Sequence, residues 1–247
     1  MGLHGEHRQL VRARLLGVAL ALLCTQAHAA CRQALQLGLD ISGSVDAREY
    51  RMQLDGLAAA LTAPEVVAMA TASPDIPVYI SVFEWAGASW QRQLVDWAPI
   101  RAPSDLTAIA ATLRTTTRAS QKGATAIGRA MRYAAYEFRQ GPECWTRTLD
   151  LSGDGKSNDG NLPEIVREGA EFDAITINGL VIGADITVGR DERQMALMEL
   201  TAYYRRRVIH GPGAFIEVAL GFDDYQRAME RKLLRELEGL VIGQLTP

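Results

Sequence analysis

Apolar residues occur in two patterns along this chain, as short continuous runs and as longer stretches with an apolar residue on each helical turn. The short runs predict buried β-strands, at 34–39, 78–83, 146–151, 174–182 and 215–218. The longer stretches predict amphipathic helices, at 46–61, 104–117, from just after Thr125 to 138, and at 163–172, 191–204 and 223–238. We expect Ser104 to cap its helix and Gly141-Pro142 to end the helix that follows Thr125. A short edge strand, 93–97, is expected to pair with 78–83, and the Ala-, Ser- and Pro-rich segment that ends at Pro77 is expected to be a loop.

The alternation of strands and helices indicates an α/β fold, with a mostly parallel sheet covered by helices on both faces. Residues 31–240 contain no linker, repeat or low-complexity segment that would divide them. We therefore expect one domain over that range.

The first 29 residues are predicted to be a secretory signal peptide. Three arginines precede an apolar run from Leu15 to Cys24, and Ala27-His28-Ala29 forms an A-x-A cleavage pattern. The apolar run is shorter than the ~20 residues of a transmembrane helix. We expect a mature protein that does not span the membrane and is exported, either to the periplasm or as a secreted protein. An uncleaved anchor and a lipid-modified Cys31 are the alternatives.

Charge and histidine content narrow the classes of function. The chain is mildly acidic, with a formal net charge of −3 at pH 7, and it has no strong basic stripe, which argues against a nucleic-acid partner. Only His210 lies outside the predicted leader, so a multi-histidine metal site is excluded and a single histidine is available as a general base. Neither a nucleophile elbow nor a phosphate-binding loop is present. We therefore expect a protein that is not an enzyme.

A polar motif, Asp40-Ile-Ser42-Gly-Ser44, directly follows the first predicted strand. Its three polar residues alternate on one turn at the carboxyl end of that strand, the edge at which open α/β sheets bind ligands. Converging oxygen ligands suit a hard divalent cation. The alternative is helix capping, in which Ser44 or Asp46 caps the next helix and Gly43 makes the turn.

Two later segments extend this motif. One, 122–128, places Thr125 between glycines at a predicted helix start, and the other, 149–159, ends a strand in a glycine-rich turn that contains Asp154. In this order the three segments resemble the metal-ion-dependent adhesion site (MIDAS) of von Willebrand factor type A (vWA) domains. The stretch from Cys31 to Leu237 is also similar to a bacterial vWA-like group, domain of unknown function 1194. The residues that carry this similarity are 40–46, 82–85, 152–155 with 158–160, and 178–183.

The resemblance implies a vWA-type, Rossmann-like, doubly wound sheet with one short antiparallel edge strand. It also implies that Ser42, Ser44 and Thr125 ligate a metal through their hydroxyls, while Asp40 and Asp154 hold it directly or through water. Mg²⁺ is the expected metal, with Ca²⁺ or Mn²⁺ as possible substitutes. Because this family leaves one coordination position for a partner's acidic group, we expect a protein partner that supplies an Asp or Glu carboxylate.

Two cysteines, Cys31 and Cys144, lie outside the predicted leader. An even pair in an exported protein suggests a disulfide. In vWA sheets the strands that follow these cysteines are parallel neighbours, so the resemblance implies that the two residues lie side by side. Two unpaired thiols are the alternative.

Three further residues, Glu84, Asn158 and Asp159, are expected near the same edge of the sheet, as a rim that contacts the partner. For Glu84 the alternative is a local structural acid, and for the other two it is a solvated loop. The sequence thus predicts an exported vWA-type binding module. The alternatives are a metal-dependent hydrolase, with Glu84, Asp159 or His210 as general base, and a vWA fold with a purely structural metal.

Overall fold

A six-stranded sheet forms the centre of the molecule, with strand order β3-β2-β1-β4-β5-β6. The computed structural model describes residues 31–119, 123–183 and 189–238, so the predicted signal peptide (1–29) lies outside the described residues. The strands are β1 (Cys31–Asp40), β2 (Val78–Trp85), β3 (Gln91–Ile100), β4 (Cys144–Gly153), β5 (Ile175–Ile182) and β6 (Ile216–Ala219). Every neighbouring pair is parallel except β2 and β3, which are antiparallel. The predicted fold class is confirmed, although the edge strand β3 is longer than the predicted 93–97.

Helices cover both faces of this sheet. They are α1 (Ala47–Leu61), α2 (Pro64–Ala70), α3 (Pro103–Thr115), α4 (Ile127–Gln140), α5 (Pro163–Val166), α6 (Arg190–Arg207) and α7 (Tyr225–Glu238), with 3-10 turns at Ala170–Phe172 and Phe222–Asp224. One face, which we call the α1 face, packs against α1, α2, α3 and α7, and the opposite α4 face packs against α4, α5 and α6. Because side chains alternate along a strand, Leu37 and Leu39 of β1 enter the α1 face while Leu149 and Leu151 of β4 enter the α4 face.

The first helix begins at a capping box that directly follows the polar motif. The Asp46 side chain accepts a hydrogen bond from the Glu49 backbone N–H (2.8 Å), and the Asp46 backbone N–H donates to the Glu49 carboxylate (2.7 Å). This arrangement satisfies two of the free N–H groups at the helix start. The capping role proposed for Asp46 is therefore present, and Ser44 is left to face the candidate site.

Three predicted element boundaries are wrong. The segment before Pro77 contains α2, because Pro64 occupies the first helical turn and Val66 and Ala70 are buried. Ser104 is not a cap but lies inside α3, where the Asp105 carboxylate instead accepts the backbone N–H groups of residues 101 and 102. The predicted helix 163–172 divides into α5 and a 3-10 turn, because Gly169 adopts an extended conformation between them.

A disulfide joins Cys31 and Cys144, as predicted. The two residues are register partners on β1 and β4, and their Cα atoms are 4.6 Å apart. Because they begin these strands, the bridge lies at the amino edge of the sheet, opposite the polar motif. Among the described residues, no helix is both long and apolar enough to cross a membrane.

Candidate metal-binding site

The carboxyl ends of β1 and β4 lie side by side and bring the predicted ligands together. Leu39 is the register partner of Ser152, so the loops after Asp40 and Gly153 start from neighbouring points. Ser44 Oγ donates to Asp154 Oδ1 (2.8 Å). Thr125 Oγ1 donates to Ser42 Oγ (3.2 Å), which lies 3.2 Å from Ser44 Oγ. Three segments that are distant in sequence therefore meet through a continuous chain of hydroxyl and carboxylate oxygens.

Asp40 forms the floor of this site and carries a buried oxygen without a partner. Its Oδ1 accepts the Ser42 backbone N–H (2.7 Å), whereas its Oδ2 is buried and has no hydrogen-bond partner. Burial, and next the charge of Asp154, raise the pKa of Asp40 to about 8. Burial also raises the pKa of Asp154. A bound cation would supply positive charge that favours the ionised form of both carboxyl groups.

The chemistry of these donors fits a hard divalent cation. Carboxylate and hydroxyl oxygens are the ligands that Mg²⁺ and Ca²⁺ prefer, and Asp40 has a buried oxygen, Oδ2, that lacks a partner. In the part of the chain that the structure describes, no group of three or more His, Cys, Asp or Glu side chains could hold a metal. The residues that would hold a metal at this edge are Asp40 and Asp154 together with the hydroxyls of Ser42, Ser44 and Thr125.

Backbone contacts fix the Thr125 segment in place. The Thr125 backbone N–H donates to Asn158 Oδ1 (2.8 Å), and the Asn158 backbone N–H donates back to the Thr125 carbonyl (2.8 Å). On the other side, the Gly43 backbone N–H donates to the Gly123 carbonyl (2.8 Å). Asn158, predicted as part of a rim, thus also holds a candidate ligand in position.

The other two predicted rim residues are engaged by the protein itself. Glu84 is fully buried on β2, where it accepts the Tyr50 hydroxyl (2.9 Å) and pairs with Arg92 (2.6 Å). Its carboxylate is therefore enclosed beneath the loops and not on an exposed rim. Burial raises the pKa of Glu84, and Tyr50 and Arg92 lower it. Asp159 Oδ2 accepts the Ala88 backbone N–H (2.8 Å), which ties the turn between β2 and β3 to the Asp154 loop.

Two neighbours of the site were not predicted from the sequence. The hydroxyl of Tyr204 on α6 is buried without a partner, and a Cβ atom on Gly153 would lie 2.4 Å from it and 3.1 Å from Asp40 Oδ2. Glycine at 153 thus permits the close approach of α6 to the floor of the site. The glycines beside Asp154 were a usable signal for this, but Tyr204 has the sequence pattern of an ordinary core aromatic.

A cleft of about 210 Å³ adjoins the site on the α6 side. It is lined by Asp154 and by both apolar and charged residues, including Lys156, Ile182 and Leu197. Lys156 also pairs with Glu199 of α6 (3.3 Å). The cleft provides a surface on which a group bound at the site could rest.

Comparison with known families gives one match. A family model described as "Protein of unknown function (DUF1194)" matches residues 30–241. No curated protein shows a significant match.

Several solved structures share the fold. Proximal thread matrix protein 1 from the mussel byssus, with a zinc-occupied MIDAS motif, is 15% identical with a TM-score of 0.53, over 85% of this chain and 46% of its own. An aerotolerance-related membrane protein from Bacteroides fragilis is 16% identical with a TM-score of 0.51, over 82% of this chain and 98% of its own. A mutant of the PilB minor pilin from Streptococcus sanguinis is 11% identical with a TM-score of 0.57, over 88% of this chain and 64% of its own. This chain therefore spans about half the length of the mussel protein, and at these identities the likeness shows the fold alone.

Proposed function

Because the chain belongs to the DUF1194 family and has the vWA fold, we propose that it is a binding module in which a divalent cation recognises an acidic group of a partner protein. One observation carries this proposal. Five oxygen-bearing side chains from three distant segments meet at one edge of the sheet, and one of them, Asp40, has a buried carboxylate oxygen without a partner.

The distribution of charge and exposure at the site favours an acidic ligand. Three of the five donors are neutral hydroxyls, so a bound divalent cation would keep enough positive charge to attract a further carboxylate. Asp40 and Thr125 form a buried floor, whereas Ser44 is exposed and Asp154 is half-buried. The side of the site that carries Ser44 and Asp154 is thus the one open to a partner, beside the cleft on α6.

The identity of the metal and the location of the protein belong to the same proposal. Mg²⁺ suits the all-oxygen donor set, with Ca²⁺ or Mn²⁺ as substitutes. The zinc-occupied MIDAS of the mussel protein supports a divalent cation at this place in the fold. The disulfide supports export to an oxidising compartment, either the periplasm or the exterior.

We favour binding over catalysis because the residues considered as general bases are engaged elsewhere. Glu84 is paired with Arg92, and Asp159 accepts backbone N–H groups with both carboxylate oxygens. The backbone of His210 pairs with Ile177 inside β5, away from the carboxyl end of that strand. A hydrolase would require one of these groups next to a metal-bound water.

The test is calorimetric titration of Mg²⁺, Mn²⁺ and Ca²⁺ into metal-stripped protein. We expect wild type and Asp173→Asn to bind, and Asp40→Ala/Ser42→Ala to give no heat of binding. Asp173 is a suitable control because it is an exposed carboxylate just before β5, at the opposite edge of the sheet. If all three proteins bind the metal equally, the metal site does not include Asp40 and Ser42. If none of them binds metal, the proposal that a metal mediates recognition is wrong.

The partner's chemistry is tested with the metal-loaded protein. Peptides that contain glutamate are compared with matched peptides that contain glutamine, each in Mg²⁺ and in EDTA. We expect binding only for glutamate and only with Mg²⁺. A purely structural metal would instead leave peptide binding unchanged after chelation while the protein melts at a lower temperature.

A further inference from the structure

A cluster of ionisable side chains is buried on the α1 face, between α7 and the sheet. Lys232 Nζ of α7 lies 3.0 Å from Asp150 Oδ1 of β4 and 2.6 Å from Glu236 Oε1. The Lys232 and Asp150 side chains are 0% and 1% exposed, respectively. The ring of Phe215, with its centroid 4.9 Å from Nζ, also faces the amine. The amine and the carboxyl group are therefore held in contact in a place that excludes water.

The charges of this cluster do not balance when all three groups are ionised. Two carboxylates and one ammonium leave one buried negative charge, which is unfavourable in an apolar interior. Burial chiefly, with a contribution from Glu236, raises the pKa of Asp150 to about 7 although Lys232 opposes the shift. A proton on Asp150 near neutral pH removes this excess negative charge from the cluster.

We propose that Lys232 and Asp150 form an intramolecular isopeptide bond, with Glu236 as the catalytic proton carrier. Lys232 Nζ lies 3.0 Å from Asp150 Oδ1, so the amine is in direct contact with the carboxyl group whose carbon it would attack. Groups that the fold already holds together avoid the entropy cost of being brought together. Glu236 touches the nucleophile directly, and its second oxygen, Oε2, is buried without a partner. Burial lowers the pKa of Lys232, but Asp150 and Glu236 raise it by more. The ammonium therefore gives up a proton only to a base in contact with it, and Glu236 can accept and return that proton.

The reaction is a condensation that requires no oxidant or cofactor. With Asp150 protonated, Glu236 takes a proton from the Lys232 ammonium, and the free amine attacks Asp150 Cγ. Glu236 then takes the second amine proton while the first is passed to the departing hydroxyl, so that one C–N bond forms, one C–O bond breaks and one water leaves. Water is excluded from the cluster, so the reverse hydrolysis is disfavoured.

Asn178 of β5 takes part by positioning Glu236. Its Nδ2 donates to Glu236 Oε1 (2.8 Å), and its Oδ1 accepts the Phe215 backbone N–H (3.0 Å). Because both ends of this amide are engaged, by Glu236 and by the Phe215 backbone, the acceptor of the amine is Asp150 and not Asn178.

The experiment is tryptic mapping of the purified full-length wild type by mass spectrometry, after incubation at neutral pH. Trypsin cannot cleave after a Lys232 whose amine is part of an isopeptide bond. We therefore expect a branched species in which peptide 148–156 is joined to peptide 232–235. Its mass should equal the summed masses of these two peptides minus one water. The exposed pair of Lys156 and Glu199, 3.3 Å apart, is the internal control and should stay uncross-linked. Recovery of only linear peptides from folded wild type would overturn the proposal.

Two variants test the roles. Lys232→Met must abolish the branched species. Glu236→Gln preserves the shape of the side chain but cannot carry a proton, so we expect the bond to form about 100-fold more slowly. The rate is measured as the cross-linked fraction against time. The variant is used only if its circular dichroism spectrum matches that of wild type. Cross-linking of Glu236→Gln at the wild-type rate would remove Glu236 from the mechanism, and a cross-link in Lys232→Met would show that another amine is used.

Discussion

The geometry of the candidate metal site depends on single atoms. Gly153, which has no Cβ atom, is the clearest case. Tyr204 and Asp40 approach this residue so closely that a Cβ atom has no room. Two residues further on, a Cβ on Gly155 would lie 3.6 Å from Thr125 Oγ1, which is an ordinary contact. Two glycines of one motif thus have different physical roles.

We therefore expect Gly153→Ala to destabilise the protein by about 1–3 kcal/mol, because overpacking displaces Tyr204 or Asp40. It should also weaken metal binding. Gly155→Ala is the matched control, which should change both quantities little, as measured by urea unfolding and calorimetry. Adding Tyr204→Phe to Gly153→Ala removes the clashing hydroxyl and should recover part of the loss. Equal effects of the two alanine substitutions would contradict this account.

Asn158 is a residue that holds a candidate metal ligand, Thr125, in position without being a candidate ligand itself. Asn158→Ala removes the acceptor of the Thr125 backbone N–H. We expect a loss of about 1–2 kcal/mol in unfolding free energy and a lower metal affinity, because Thr125 is less well fixed. Asn161→Ala, at an exposed position of the same loop, should change neither. A metal affinity that is unaffected by Asn158→Ala would show that Thr125 is held by other contacts.

At the scale of elements, the two ends of the β1–β4 strand pair have separate roles. The amino ends are joined by the disulfide and the carboxyl ends carry the candidate ligands. Ten residues of regular strand separate the two ends of β1. A change at one end is therefore expected to leave the geometry of the other unchanged.

For this strand pair we predict that removing the disulfide lowers the stability of the protein but leaves its metal affinity unchanged. The bridge joins residues 113 apart in sequence, and in the chain-entropy account a loop of this size contributes about 4–5 kcal/mol. Cys31→Ala/Cys144→Ala should lower the unfolding free energy by an amount of that order, while the dissociation constant for Mg²⁺ stays within error of wild type. A large loss of metal affinity in the folded variant would show that the two ends are coupled.

At the scale of the whole molecule, the candidate site links the sheet to both helical layers. Asp40 ends β1, Thr125 precedes α4 on one face, and Ser44 precedes α1 on the other. A ligand that binds all three segments stabilises the folded state as a unit, because the unfolded chain has no such site.

Metal addition should therefore raise the melting temperature of wild type. At 100 times the dissociation constant, linkage gives about 2.7 kcal/mol. Asp40→Asn should abolish this response. In EDTA at pH 8 that variant should be at least as stable as wild type, because the amide replaces a buried carboxyl group whose ionisation is opposed by burial and by Asp154. Thermal unfolding with and without Mg²⁺ measures both effects, and a metal response retained by Asp40→Asn would move the site elsewhere.

The sequence by itself determined the order of the strands and of the helices other than α2, and it indicated the two cysteines that pair and the five side chains of the candidate site. The order of the elements follows from local periodicity. The geometry of the cysteine pair and the set of five ligands follow from the resemblance of the strand-end motifs to those of vWA domains. The predictions failed where local signals compete, as at Ser104, where Pro103 and Asp105 set the helix start instead.

Only the tertiary structure decided which distant polar residues share a buried space. Nothing local relates Asp150 of β4 to Lys232 of α7, or Tyr204 of α6 to Gly153. Their meeting depends on strand register and on the face to which each helix packs, since a shift of one residue would turn Asp150 to the other side of the sheet. The enclosure of Glu84 by Tyr50 and Arg92 has the same origin. Periodicity shows that a residue is buried, whereas the packing of the elements determines its neighbours.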